Sequence, residues 1–341
     1  MLKKIFVLVI CLSSVHFALG SPKEASVTPR SGLDRLLRGS MAINTHGHLE
    51  IGGVDMVTLA NSSQYPIYVM DEALVRSNMN GYVTSISKYY SNPGDVFYAS
   101  KALMNLALCK IAQEEGMGLD VSTGGELYTA IQAGFPMKHV IMHGNNKSAE
   151  EVELALKSGV GRIVIDNLDD IMLVSDIGQK LGKVTDVLVR VKPGIYAHTH
   201  SHIATGSNES KFGFIIDNNS AEEAIVKILE HPNLNFAGIH VHIGSQILEI
   251  KDYIKAIDLT TAFIKKLHDK NIVINELNLG GGLGIVYTGQ HKKIAIEDFI
   301  RTISQHLTTK LTAKNLPLPK LMLEPGKSIV GDAGTTIYKI G

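Results

Sequence analysis

From Asp95 onward the chain alternates between two hydrophobic patterns. Short, continuous apolar runs begin near Val96, Gly118, Val140, Ile163, Val187, Ala237, Leu277 and Leu321. Between them apolar residues recur at helical spacing, as in Met104, Ala107, Leu108 and Ile111, which stand at i, i+3, i+4 and i+7. Continuous apolar runs mark strands buried on both faces, and their alternation with helices predicts parallel βα units. The first four intervals are 22 to 24 residues, the length of one such unit, and the later ones leave room for longer loops. Three helix starts carry capping-box pairs: Thr123 with Glu126, Ser148 with Glu151 and Ser220 with Glu223. Eight units predict an α/β fold, a (β/α)8 TIM-like barrel, with a doubly wound sheet as the alternative.

The chain before Asp95 reads differently. Residues 1–20 resemble a signal peptide: Lys3 and Lys4, an apolar stretch from Ile5 to Ala18, then small residues at Ala18 and Gly20. The competing interpretation is an upstream extension with Met41 as the start. Residues 21–48 read as a polar linker. Leu49 to Ala60, with Gly52-Gly53, reads as a strand or hairpin, and Pro66 to Met70 as a strand. Asp71 is placed to cap a helix running to Tyr90.

Charge narrows the field. Lys+Arg and Asp+Glu both number 33, so no global field favours nucleic acid or an anionic membrane. The apolar N-terminal stretch is short for a membrane span. Of the two cysteines, Cys11 and Cys109, only Cys109 remains if the leader is removed, which excludes an intrachain disulfide in the mature chain.

The residues just after each apolar run carry the chemistry. In order they are Lys101; Asp120-Val121-Ser122; His143-Gly144-Asn145-Asn146-Lys147; Asp166-Asn167; Arg190; His240-Val241-His242-Ile243-Gly244-Ser245; Gly280-Gly281-Gly282; and Glu324-Pro325-Gly326-Lys327. Any one has a bland explanation as a cap or a solvated turn. Eight together are expected where the strand ends of a barrel converge on one face. His198, His200 and His202 suggest zinc, but no Cys partner or helical His spacing supports it, and no metal is expected. Lys101 at a strand end is a candidate Schiff-base nucleophile. The glycine triplet lets backbone N–H groups approach an anion, at the strand where barrels often hold phosphate. His240 and His242 share a strand face, with His242 nearer the mouth. A lysine, a phosphate cradle and a carboxylate at the barrel mouth, Glu324, suggest pyridoxal 5'-phosphate (PLP), with Glu324 keeping the pyridine nitrogen protonated so that the ring accepts electrons. Such chemistry suits loss of CO2 from an amino acid.

Tyr98-Ala99-Ser100-Lys101, His240 to Gln246, Leu279 to Gly282 and Glu324-Pro325-Gly326 resemble the motifs of the PLP decarboxylases built on the alanine racemase type of barrel. His198 to His200, Thr205-Gly206 and Ser210 to Gly213 are similar to the diaminopimelate decarboxylase family within them. The resemblance covers roughly Leu49 to Gly341. It implies that Lys101 carries the cofactor, His242 stacks on the pyridine face, and Ser245, Gly281, Gly282 and Gly326 hold the phosphate. Glu324 then binds the ring nitrogen, Asp120, His143 and Arg190 shape the site, and Pro325 and Lys327 complete the cofactor contacts. Lys327, where the family usually has arginine, also meets the substrate. The implied reaction is conversion of meso-2,6-diaminopimelate to L-lysine and CO2, in the cytoplasm or a plastid. Ornithine or arginine decarboxylation and a non-catalytic PLP-binding paralogue are the alternatives. Glu324 argues against an alanine racemase, which places arginine at the ring nitrogen. The implied domains are the barrel over 71–330, strands at 49–70 belonging partly to a β-domain, and residues 331–341 starting that domain's truncated C-terminal part. The implied assembly is a homodimer with active sites at the interface, so this chain is expected to be inactive alone.

Overall fold

The computed structural model describes residues 9–12, 36–195, 205–207, 209–287 and 292–340. The signal-like segment, apart from residues 9–12, and the histidines at 198, 200 and 202 lie outside the described residues. The chain divides into two compact units, residues 79–328 and residues 1–78 with 329–341.

The larger unit is the barrel. Its eight strands are Gly94–Ala99, Gly118–Val121, Val140–Met142, Arg162–Ile165, Thr185–Lys192, Leu234–Val241, Glu276–Asn278 and Lys320–Leu323. Each pairs in parallel with the next. Strand eight returns to strand one with Leu321, Met322 and Leu323 opposite Gly94, Asp95 and Val96, which closes the sheet. The predicted barrel is therefore present and the doubly wound alternative is not. A helix follows every strand, from Leu106–Glu114 after the first to the short Lys327–Val330 after the last.

Strand periodicity explains how the core supports a site. Phe97, Ile141, Val164, Leu188 and Met322 form one buried apolar cluster. Two residues further along the same strands stand Ala99, His143, Asp166, Arg190 and Glu324. A spacing of two keeps side chains on the same strand face. The apolar layer is thus the floor, and the polar residues are the next layer towards the strands' C-terminal ends.

Several local expectations are corrected. The helix predicted to begin directly after Lys101 starts only at Leu106; Ser100–Ala102 forms a 3₁₀ turn first, and Asn105 caps the helix by accepting from the Leu108 N–H. Ser148 and Glu151 form the full reciprocal capping box. Thr123 accepts from the Glu126 N–H, but the Glu126 carboxylate takes the Ser122 N–H instead of closing the box. The Ser220 box does not form, because the Ser220 hydroxyl is bonded to both backbone groups of Ile215, and Asn219 stands at the cap position.

Among the described residues the smaller unit contains two sheets. Ala42–Ile43, within the stretch read as linker, pairs with Leu49–Ile51, which turns through Gly52-Gly53 to Val54–Asp55. The hairpin is present, but Met56–Asn61 is a helix and not its continuation. Asp55 decides this by capping the first turn, accepting from the Thr58 N–H. Ile67–Asp71 pairs antiparallel with Gly334–Ile337 and parallel with Val9–Leu12. Ile51, Met56, Ile67 and Val69 form this unit's core. No helix among the described residues is long and apolar enough to cross a membrane.

Candidate active site

Two cavities at the C-terminal end of the barrel share four lining residues, Lys101, His242, Ser245 and Glu324. The larger, of about 390 Å³, is also lined by Ser122, His143, Gly144, Asn145, Arg190, Thr205, Phe212 and His240. The smaller, of about 180 Å³, adds Ala99, Ala102, Gln246, Gly282, Gly326 and Lys327. One end is therefore rich in titratable groups and the other in glycine, with the Lys101 amine where they meet. Asp120, Gly281 and Pro325 stand behind this wall: Asp120 under Lys101, Gly281 against His242, and Pro325 with its carbonyl accepting from the Ala99 N–H.

A polar chain runs across the floor. Lys101 Nζ donates to Asp120 Oδ2 at 2.7 Å. The other carboxylate oxygen, Oδ1, lies 3.8 Å from His143 Nε2. That nitrogen is 2.7 Å from Glu324 Oε1, which also accepts from Asn278 Nδ2 at 2.6 Å. His240 Nε2 is 3.1 Å from Glu324 Oε2. Since a carboxylate only accepts, both imidazoles present Nε2–H to it. The two rings meet edge-on with centroids 4.7 Å apart. The ligand atoms of His143, His240 and Glu324 lie within 4.8 Å of one another, and hydrogen bonds account for that closeness.

The electrostatics follow from burial and these contacts. Burial pushes the Lys101 amine down, but attraction to Asp120 and Glu324 outweighs it and the pKa is raised. Burial raises Glu324, and electrostatic attraction to His143 and His240, with the hydrogen bonds they donate, more than reverses this, holding the carboxyl well below its usual range. His240 is 1% exposed, and burial pushes it down to about 4 despite Glu324. Burial, with Lys101 and Arg190 nearby, takes His242 well below 6.5. The Arg190 guanidinium stacks over the Phe212 ring at 4.2 Å and lies 3.6 Å from Asp166, whose other oxygen accepts from the Gly213 N–H.

An acid sensitivity follows. Folded His240 stays neutral, whereas the unfolded chain takes up its proton below about pH 6.5. Its contribution is complete above that pH and is lost as the pH falls towards 4, a difference of up to about 3 kcal/mol. Glu324 adds a loss below its ordinary range, in the same direction. Urea denaturation from pH 7.5 to 4.5 should show falling stability, with a shallower fall in His240→Asn; a flat profile between pH 7 and 5 contradicts this.

The residues fit PLP. At the floor, Glu324 Oε2 takes one hydrogen bond among the described residues, which leaves an acceptor site for a ring N–H. Asp120 Oδ1 and His240 Nδ1 are buried with no hydrogen-bond partner among the described residues. At the glycine end a Cβ on Gly281 would lie 2.0 Å from the Glu324 carbonyl oxygen, and one on Gly282, at φ +105°, would lie 2.2 Å from that of Gly244. Side chains there would push apart the loops that form the smaller cavity.

Asn278 is a residue of this site that the pattern of strand ends does not mark. Asn278 was legible in principle, two residues before Gly280 on strand seven. Its pairing with Glu324 arises only when the barrel closes.

Comparison with known proteins agrees with this geometry. Residues 75–331 match the family described as pyridoxal-dependent decarboxylase, pyridoxal binding domain. The chain is 41% identical to the diaminopimelate decarboxylase of Bacillus subtilis over 309 residues, covering 89% of this chain and 70% of that one. It is 35% identical over 325 residues to that of Synechocystis, covering 93% and 68%. The structure of the diaminopimelate decarboxylase from M. jannaschii in complex with L-lysine superposes with a TM-score of 0.80 at 32% identity, covering 86% of this chain and 68% of that chain. A lysine/ornithine decarboxylase from Vibrio vulnificus, at 21% identity and a TM-score of 0.67, shares the fold.

Proposed function

The chain belongs to the diaminopimelate decarboxylase family of PLP-dependent decarboxylases, and from that premise we propose that it converts meso-2,6-diaminopimelate to L-lysine and CO2. The observation that carries this reading is the Lys101 amine between a glycine-lined cavity and one floored by the buried Glu324 carboxylate. PLP, when bound, supplies a protonated ring that takes up the electron pair left on Cα as the bond to the carboxylate breaks.

The chain's own residues divide the remaining work. Lys101 would anchor the cofactor covalently, and Asp120, 2.7 Å away, is placed to take the proton that the amine must first lose. Glu324, held anionic, would keep a proton on the ring nitrogen. His143, His240 and Asn278 fix the carboxylate in place. His242 would cover a ring face as a neutral imidazole. Ser245, Gly281, Gly282 and Gly326 would hold the phosphate. Lys327 lines the same end as a single compact charge, with its Nζ 6.0 Å from the Tyr287 ring centroid, where it would meet phosphate or a substrate carboxylate. A homodimer, and a cytoplasmic or plastid site of action, belong to the same reading and rest on family membership.

The test is a substrate panel. The full-length gene product, purified with PLP, is offered meso-diaminopimelate, lysine, ornithine and arginine, and CO2 is measured. Release from diaminopimelate at least about tenfold faster than from the others is expected, a difference of roughly 1.4 kcal/mol in barrier. Faster release from ornithine or arginine overturns the substrate assignment.

A further inference from the structure

Gln246 follows Ser245 and ends the His240-to-Gln246 motif. Its φ is +58°, a left-handed conformation that is unfavourable for a residue with a side chain and persists where the surroundings enforce it. The side-chain amide accounts for the enforcement. Its Nε2 donates to the Ile285 carbonyl at 2.6 Å, and its Oε1 accepts from the Ile285 N–H at 3.2 Å. One side chain thus pairs with both backbone groups of a single residue, as a neighbouring strand would.

The clasp belongs to a larger seam. The Ile247 N–H donates to the Gly282 carbonyl at 2.9 Å, and the Gly284 N–H donates to the Ile247 carbonyl at 2.9 Å. Ile247 and Leu283 form a parallel bridge. The loop after strand six is thereby joined to the glycine loop after strand seven. Ser245, Gln246 and Gly282, which line the smaller cavity, come from these two loops.

We propose that Gln246 is a positioning residue for an organic phosphate: its clasp on Ile285 locks the two loops into one preorganised anion cradle. The inference rests on the reading that PLP occupies this site, and it concerns the phosphate end alone. Loops that must be ordered at the moment of binding bind more weakly than loops ordered beforehand. Without the clasp, residue 246 relaxes out of the left-handed region and Ser245, its neighbour, moves with it.

The experiment compares two ligands of the full chain, PLP and pyridoxal, which lacks the phosphate. Gln246→Leu removes the clasp at similar volume. Gln246→Gly removes it while relieving the backbone conformation. Gln246→Glu still accepts from Ile285 N–H but sets a second acceptor against the Ile285 carbonyl. Dissociation constants are measured by absorbance, and melting without ligand reports folding. All three variants should bind PLP roughly tenfold to a hundredfold more weakly and pyridoxal within about twofold of the parent. Should the leucine variant fail to fold, the glycine and glutamate variants decide the matter. PLP affinity equal to the parent's in the folded variants, or equal losses for PLP and pyridoxal, overturns the proposal. A parent chain that binds PLP on Lys101 separates that outcome from failure of the cofactor reading, whereas a parent that binds none overturns both.

Discussion

Lys101→Arg should abolish covalent attachment of PLP and lower decarboxylation by about 10³-fold or more, roughly 4 kcal/mol of barrier. Arginine keeps a positive charge opposite Asp120, so the ion pair at the floor survives and the fold is little disturbed. It also keeps its proton at any accessible pH and cannot serve as a nucleophile. The variant therefore separates the charge of residue 101 from its reactivity. In the parent, Asp120 and Glu324 overcome the burial cost and hold the Lys101 amine protonated. Covalent loading should consequently accelerate as pH rises, since only the neutral amine attacks a carbonyl. Borohydride trapping followed by peptide mapping locates the attachment. A pyridoxyl group on another lysine of the parent, or variant turnover within about tenfold of the parent's, refutes the assignment.

How much of this was legible in the sequence depends on how local each feature is. The eight barrel strands were legible because parallel strands covered on both faces read as unbroken apolar runs. The candidate site residues were legible because each follows its run, as His143 follows Ile141 and Glu324 follows Met322 at a spacing that keeps one strand face. Pairing was not legible. Glu324 receives His143, His240 and Asn278 from strands three, six and seven, a convergence that closure of the barrel creates. Local competition also escaped the pattern. Ser220 looks like a cap until its hydroxyl is seen on Ile215, and Met56–Asn61 looks like a strand until Asp55 caps it as a helix. Gln246 is the sharpest case: its motif was recognised, yet neither its positive φ nor its partner Ile285 can be read from residue type.

Glu324→Gln should retain PLP and lose at least about tenfold in turnover, roughly 1.4 kcal/mol of barrier. Volume and shape are nearly unchanged, so the cavities persist and Lys101 still pairs with Asp120. What changes is the charge at residue 324. The glutamate is 4% exposed, yet the imidazoles of His143 and His240 keep it anionic. An anion there stabilises a proton on a ring nitrogen, and a neutral amide does so far less. The amide also sets an NH2 group against donors already aimed at the carboxylate, so an imidazole must switch tautomer to accept from it. That rearrangement is affordable because both imidazoles carry a second ring nitrogen. Two measurements separate electron withdrawal from simple damage to the site: PLP affinity, expected to stay within about tenfold, and kcat, expected to fall more than KM rises. A variant that turns over within tenfold of the parent would mean that the ring nitrogen obtains its proton elsewhere. Loss of PLP binding itself would make Glu324 a binding residue first and place the charge argument second.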